Sequence, residues 1–192
     1  MKFSECVRLI KSDLQRLSGG GIRSYLWSES FKITFWLRIG TYLSHKHYTL
    51  PLLVVRLIYK HIQHKTGIQI PIGTNVGSGL RFFHHDCIIV AQSTVIGRNA
   101  SIHQGVTIGR VFAGKKKGVP VIGDNVVICA GAKVLGGIRI GDNVVIGANA
   151  VVVNDVPSNA VVAGVPAIVI STDSTKCFDK NWGNVFAHPY NE

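Results

Sequence analysis

Between Ile72 and Val156 apolar side chains return at every sixth position. Ile72, Ser78, His84, Val90, Ile96, Ile102 and Ile108 share one phase, which resumes at Ile122, Ile128, Val134, Ile140, Ile146 and Val152; only Ser78 and His84 are not aliphatic. Four residues further on, small or branched apolar residues recur from Val76 and Phe82 to Val144, Ala150 and Val156. A six-residue period matches neither a helix nor an uninterrupted strand. It describes very short strands joined by identically placed turns. Gly73, Gly97, Gly109, Gly123, Gly141 and Gly147 follow the aliphatic slots, and Asn75, Asn99, Asn125, Asn143 and Asn149 come two residues later. Both residue types tolerate the positive φ that such corners need. Three hexapeptides make one three-sided coil, and stacked coils form parallel ladders about 4.8 Å apart. The pattern therefore predicts a solenoid filled with Ile and Val.

Ahead of the repeat the period changes. Phe3, Val7, Ile10, Leu14 and Leu17 mark an amphipathic helix that Ser18-Gly19-Gly20-Gly21 should stop. A second helix is expected from Ser30 to Ser44, burying Phe31, Phe35, Ile39 and Tyr42 and broadened by Trp36 and Leu37. Thr49 and Pro51 read as N-cap and first turn of a third helix ending near Thr66-Gly67. The organisation expected is a helical region at 1–67, a solenoid at 68–170 and a C-terminal tail at 171–192 carrying Phe178, Trp182, Phe186 and Tyr190. One break stands out. Ile108 and Ile122 are fourteen residues apart, not a multiple of six, so residues 110–120 should protrude as a loop, the kind of excursion that carries function on a rigid scaffold.

Composition adds bounds. The chain has 192 residues, 46% of them apolar and 16% charged, as expected of a globular protein. Cys6, Cys87, Cys129 and Cys177 form no CxxC pair, so free, buried thiols in a reducing cytoplasm are expected, with no secretory leader. The apolar runs Ile33 to Leu43 and Leu50 to Tyr59 are broken by Arg38 and Arg56 and are too short to span a bilayer. The net charge of +11 is uneven: residues 1–67 carry eleven Lys and Arg against three Asp and Glu. With no nucleic-acid motif beside it, this basic excess reads as a solvated helix face. The alternative is weak contact of Trp27, Trp36 and the arginines with a membrane surface.

The sixfold pattern resembles the hexapeptide-repeat acyltransferases. The segments Ile88-Ile89-Val90, Ile102-His103-Gln104-Gly105-Val106-Thr107-Ile108-Gly109, Ala130-Gly131-Ala132-Lys133 and Gly164-Val165-Pro166-Ala167 resemble serine acetyltransferases, especially short relatives associated with surface-polysaccharide biosynthesis. The resemblance implies a left-handed parallel β-helix, although ordinary parallel crossovers are right-handed. It further implies acetyl-CoA as co-substrate with no metal, and a homotrimer, with a dimer of trimers open. The active site would lie between subunits, walled by the 110–120 loop.

On that resemblance His84 is the general base that takes the acceptor hydroxyl's proton, with His85 as fallback. The carboxylate that orients this histidine in the family falls at Gln69, so Asp86 is the candidate replacement. Pantetheine would pass the small residues Gly109, Ala130 and Ala148. The basic residue after Gly-Val-Pro-Ala is Ile168 here, so the CoA phosphates would meet Lys115, Lys116, Lys117 or Lys133. The family's serine-recognising aspartate, arginine and second histidine are Phe83, Gly118 and Val119 in this chain, which leaves a sugar hydroxyl open beside L-serine. Two other classes use the same scaffold. A γ-carbonic-anhydrase-like metal hydratase would stack His85 and His103, eighteen residues apart, and a non-catalytic scaffold would need neither.

Overall fold

The computed structural model describes residues 1–17 and 28–177. The Ser18–Gly21 stop signal, Trp27 and the aromatic residues of the tail lie outside them. Among the described residues three helices come first: α1 (Phe3–Gln15), α2 (Glu29–His45) and α3 (Thr49–Thr66). Fifteen short strands follow: β1 (Ile68–Gln69), β2 (Asn75–Val76), β3 (Arg81–Phe82), β4 (Ile88–Val90), β5 (Val95–Ile96), β6 (Ser101–Ile102), β7 (Thr107–Gly109), β8 (Val121–Ile122), β9 (Val127–Ile128), β10 (Lys133–Leu135), β11 (Arg139–Ile140), β12 (Val145–Ile146), β13 (Val151–Val152), β14 (Val161–Gly164) and β15 (Ala167–Ser171). They are dealt in rotation to three sheets, ordered β1-β4-β7-β10-β13, β11-β8-β5-β2 and β15-β14-β12-β9-β6-β3. Every pairing is parallel except the last hairpin, β14–β15, whose turn holds a cis Val165–Pro166 bond.

The repeat packs as its period predicts from Val90 onward. Val90, Ile96, Ile102, Ile108, Ile122, Ile128, Val134, Ile140, Ile146 and Val152 are all buried in one cluster with Ala100, Val106, Ala132 and Ala150. Burial of each such aliphatic side chain contributes about 1.5–3 kcal/mol. The first coil differs. Val76 pairs with Ile96 and Phe82 with Ile102, twenty residues apart, whereas Val90 pairs with Ile108, eighteen apart. The core slots of this coil are thus Ile70, Val76 and Phe82, not Ile72, Ser78 and His84. Two extra residues between Phe82 and Val90 shift the phase, and His84 is consequently exposed rather than seated in the interior.

The corner residues divide the work differently from expectation. Asn99, Asn125, Asn143 and Asn149 do adopt positive φ, near 56–58°, but Asn75 sits in a strand. Asn99, Asn125, Asn143 and Asn159 also form a ladder, each side-chain amide donating to the next at 3.1, 2.8 and 2.9 Å. Gly97, Gly123 and Gly141 are not needed for positive φ. A Cβ on Gly97 would lie 2.4 Å from the Gly123 carbonyl oxygen, and one on Gly141 2.5 Å from the Ser158 nitrogen. These glycines let successive coils approach.

A coil stack leaves unpaired backbone groups at each end. Here the helices cover the first end, and buried arginines satisfy it. Arg38 of α2 forms a two-pronged pair with Asp13 of α1 (2.9 and 3.1 Å) and donates to the Val76 and Gly77 carbonyls at 2.6 Å each. Asp13 also accepts from the Leu80 amide at 2.9 Å. Arg16 donates to the Gly79 carbonyl at 2.7 Å and the Ser101 hydroxyl at 3.0 Å. Burial pushes the Asp13 carboxyl up, while the Arg38 guanidinium and the backbone amides pull against it; burial pushes the Arg16 guanidinium down to about 10.

This capping overturns several expectations. The face of α1 turned to the coil is Ser12, Asp13 and Arg16, and its predicted apolar stripe is only half-buried, with Phe3 exposed. α2 buries Ile33, Thr34, Leu37 and Arg38 alongside Phe31, leaving Phe35, Ile39 and Tyr42 half-buried. Two arginines read as part of a solvated face are therefore internal. The N-cap of α3 is Tyr48, with Thr49 already in the first turn. Cys87 and Cys177 are exposed rather than buried. No helix among the described residues is long and apolar enough to cross a membrane.

Two outcomes test this packing. Asp13→Ala leaves the buried Arg38 without its counter-charge and should lower the unfolding free energy by about 3–5 kcal/mol in a denaturant titration. Gly97→Ala forces a methyl group against the backbone of the next coil, so the same measurement should show a loss of about 1–3 kcal/mol.

Candidate active site

The two extra residues of the first coil emerge at the corner between β3 and β4. The ladder holds both sides of them. The Phe83 amide donates to the Ile102 carbonyl at 3.1 Å, and the Asp86 carbonyl accepts from the Gly105 amide at 3.0 Å. The Asp86 amide meanwhile donates to the Thr66 carbonyl at 2.9 Å, at the end of α3. Only His84 and His85 are left between these anchors, and both are exposed. Asp86 (φ 104°) and Cys87 (φ 51°) turn the chain back into the ladder. A non-glycine residue at such φ costs of order 1–3 kcal/mol, a strain that concentrates at functional sites. Gly67, at φ 64°, is required beside this turn because a Cβ there would meet the Asp86 carboxylate at 2.5 Å.

A small cluster surrounds the exposed imidazole. Phe83 and His103 stack face to face, with ring centroids 4.5 Å apart and planes 5° from parallel. The Arg81 guanidinium covers Phe83, 4.2 Å from its centroid. The His84 ring lies 6.5 Å from the His103 ring, tilted by 55°. Burial pushes the His103 imidazole down, and the nearby His84 and Arg81 act in the same direction, which favours its uncharged form. The twenty-residue coil explains the stack: Phe83, not His85, sits one coil below His103. The ladder-stacked His85–His103 pair expected for a metal site is therefore not formed. Among the described residues no three His, Cys, Asp or Glu side chains group as metal ligands would.

The remaining sequence candidates separate into two corners. Asn149 donates from its amide to the Ala130 carbonyl at 2.9 Å, and the Gly131 amide donates to the Gln104 carbonyl at 2.9 Å. Ala130 and Ala148 therefore stack on the corner that carries His84, one coil after another. The Lys133 ammonium donates to the Gly105 carbonyl beside them. Gly109 lies at the next corner, where the chain leaves β7 for the loop. That loop is a small hairpin, closed by mutual Val111–Gly118 backbone bonds of 2.9 Å. It presents exposed Phe112, Lys115 and Lys117, while Lys116 lies 3.9 Å from Asp155.

Gln69 is exposed on β1 and lines a groove of about 730 Å³ with Arg56, Lys60, Gln63 and His64. Among the described residues neither Gln69 nor Asp86 makes a side-chain hydrogen bond to His84. Sequence reasoning missed Arg81 and the placement of His103 beside His84. The signal was the double step from Phe82 to Val90, which a strict six-residue count passes over.

Comparison with known proteins bears on the fold and the family. A family profile described as "Bacterial transferase hexapeptide (six repeats)" matches residues 120–154. The serine acetyltransferase of Staphylococcus xylosus is 40% identical over 136 residues, which are 71% of this chain and 61% of that protein. Among solved structures, a serine acetyltransferase in complex with cysteine superposes with a TM-score of 0.75 at 32% identity, covering 88% of this chain and 71% of that one. A serine acetyltransferase of Brucella abortus in complex with coenzyme A gives 0.76 at 28% identity, covering 89% and 70%. The chain spans about three fifths of the length of the curated relative it matches. Because the superposition at 32% identity covers 88% of this chain and 71% of the solved one, the chain belongs to the serine acetyltransferase family of hexapeptide-repeat acyltransferases.

Proposed function

We propose that this chain is an acetyl-CoA-dependent O-acetyltransferase with His84 as general base. One observation carries the reading: the only histidines lifted out of the coil by the two-residue insertion stand on the same corner as the Ala130–Ala148 track. Small side chains there leave room for a pantetheine arm to lie against the backbone beside the base.

A thioester supplies an acyl group already activated for transfer, but an alcohol is a weak nucleophile until a base removes its proton. His84 takes the acceptor proton as the oxygen attacks the acetyl carbonyl. The new C–O bond forms, the C–S bond breaks, and the imidazolium returns its proton to the departing thiolate. Positioned general bases contribute about 10²–10⁴-fold. Backbone N–H groups of the corner are suited to meet the oxyanion. Gln69 and Asp86 are placed as orienting residues only if the bound state brings them to the ring.

We read residues 1–67 as the helical cap, 68–170 as the acyltransferase unit, coiled left-handed and closed as a prism, and 171–192 as a tail. The working location is the cytoplasm. Because His84, Ala130 and Ala148 occupy one corner and Gly109 with Lys115, Lys116 and Lys117 the next, a single chain does not gather the whole set. A homotrimer, in which the loop of one subunit reaches the His84 corner of its neighbour, does so and brings the lysines toward the CoA phosphates.

Replacing His84 with Ala should lower acceptor-dependent CoA release by at least about 10²-fold, with an unchanged melting temperature, because the side chain is exposed and contributes nothing to the core. A mixing experiment tests the shared site. His84→Ala chains and chains with Lys115, Lys116 and Lys117 all changed to Ala should each be weak alone, and co-expressed mixed trimers should regain activity. Mixed trimers no better than their parents would remove the inter-subunit site.

A further inference from the structure

His103 has a place and a chemistry that the acetyl-transfer reading above does not use. Its ring is clamped flat against Phe83 at 4.5 Å, which fixes its orientation. It is half-buried, and among the described residues its ring nitrogens make no hydrogen bond to the protein. Burial and the neighbouring Arg81 favour its uncharged form, which offers one donor and one acceptor. The His84 side chain is likewise without a protein hydrogen bond among the described residues. The 6.5 Å between their centroids is too long for a direct bond and leaves room for ligand oxygen between the rings.

We propose that His103 is a second acceptor-binding imidazole, holding the hydroxyl adjacent to the one that His84 deprotonates, so that the acceptor presents a vicinal diol of a saccharide. This rests on the O-acetyltransferase reading. Neighbouring oxygens of a pyranose lie about one hydrogen-bond length apart (~2.8 Å), so a diol can span two imidazoles whose centroids are 6.5 Å apart. The charge around the gap also selects. Arg81 stands over Phe83 at 4.2 Å, adding positive charge beside the acceptor, and Phe83 supplies no carboxylate. A free ammonium group would meet the Arg81 charge there with no carboxylate at position 83 to offset it, whereas an uncharged polyol needs no counter-ion. The Phe83 ring and the imidazoles offer the mixture of flat apolar surface and hydrogen-bonding edge that suits a pyranose face.

The test pairs substrate and protein changes. CoA-thiol release from acetyl-CoA is followed for the wild type, His84→Ala, His103→Leu and His103→Gln. The probes are the methyl glycosides of D-glucose, D-galactose and D-mannose, their monodeoxy analogues, and L-serine. The expected result is that His103→Leu lowers kcat/KM for the preferred glycoside roughly 10- to 100-fold, the usual cost of one lost substrate hydrogen bond. KM for acetyl-CoA and the melting temperature should hold, and His103→Gln, which can still donate and accept, should recover most of the loss. Removing the adjacent hydroxyl should cost the wild type as much and the Leu variant almost nothing further. Equal losses for glycoside and deoxy analogue, a shift in both KM values with a fall in melting temperature, or L-serine outrunning every glycoside would each overturn the proposal. If no probe supports release and His84→Ala changes nothing, the acetyl-transfer reading fails first, and this inference goes with it.

Discussion

In a stack of parallel coils each residue's position is set by the residue one turn before it, because the ladder bonds and the shared interior both demand vertical alignment. An insertion cannot be absorbed by stretching. It must leave at a corner, between two anchored strands. Two such departures exist in this chain. The short one releases His84 and His85 between the Phe83 and Asp86 ladder bonds. The long one releases the hairpin between β7 and β8. The residues of the proposed site leave the ladder at these two violations of register, while the regular turns supply the scaffold beneath them.

The same ladder explains the cap. A coil stack that simply began would leave the carbonyls of Val76, Gly77 and Gly79 facing solvent or an approaching chain. Guanidinium groups suit this edge because a planar fork can serve two carbonyls at once. Arg38 does so while paired to Asp13, and Arg16 extends the arrangement to Ser101 in the second coil. A buried pair of this kind adds little net stability over a well-packed apolar contact. Its value here is positional, since it fixes two helices against one coil and thereby supports the α3 terminus whose Thr66 carbonyl holds the Asp86 turn.

Much of this was legible in the chain. The period of six, the break at residues 110–120 and the three helices follow from residue spacing alone, because burial imposes its period on the sequence. The misplacements at the site share one cause. A count in sixes assigned His84 to an interior slot and paired His85 with His103, since composition does not announce where two residues have been added. The step from Phe82 to Val90 could have shown it: two bulky apolar residues eight apart, with two histidines and an aspartate between. Charge misled in a similar way. Arg16 and Arg38 belong to a basic segment that looks solvated, and only the unpaired edge of the first coil explains their burial.

The proposed chemistry depends on keeping one imidazole outside the repeat and another within it. His84 is free to meet a substrate because nothing in the ladder binds its side chain. His103 occupies a regular outward position and is fixed by the Phe83 ring beneath it. In the proposed reaction the first shuttles a proton, and the second, whose uncharged form is favoured by burial and by Arg81, is suited to orientation rather than proton transfer. The division follows from the same two-residue step, since an eighteen-residue first coil would have returned His84 to the interior and set His85, not Phe83, beneath His103.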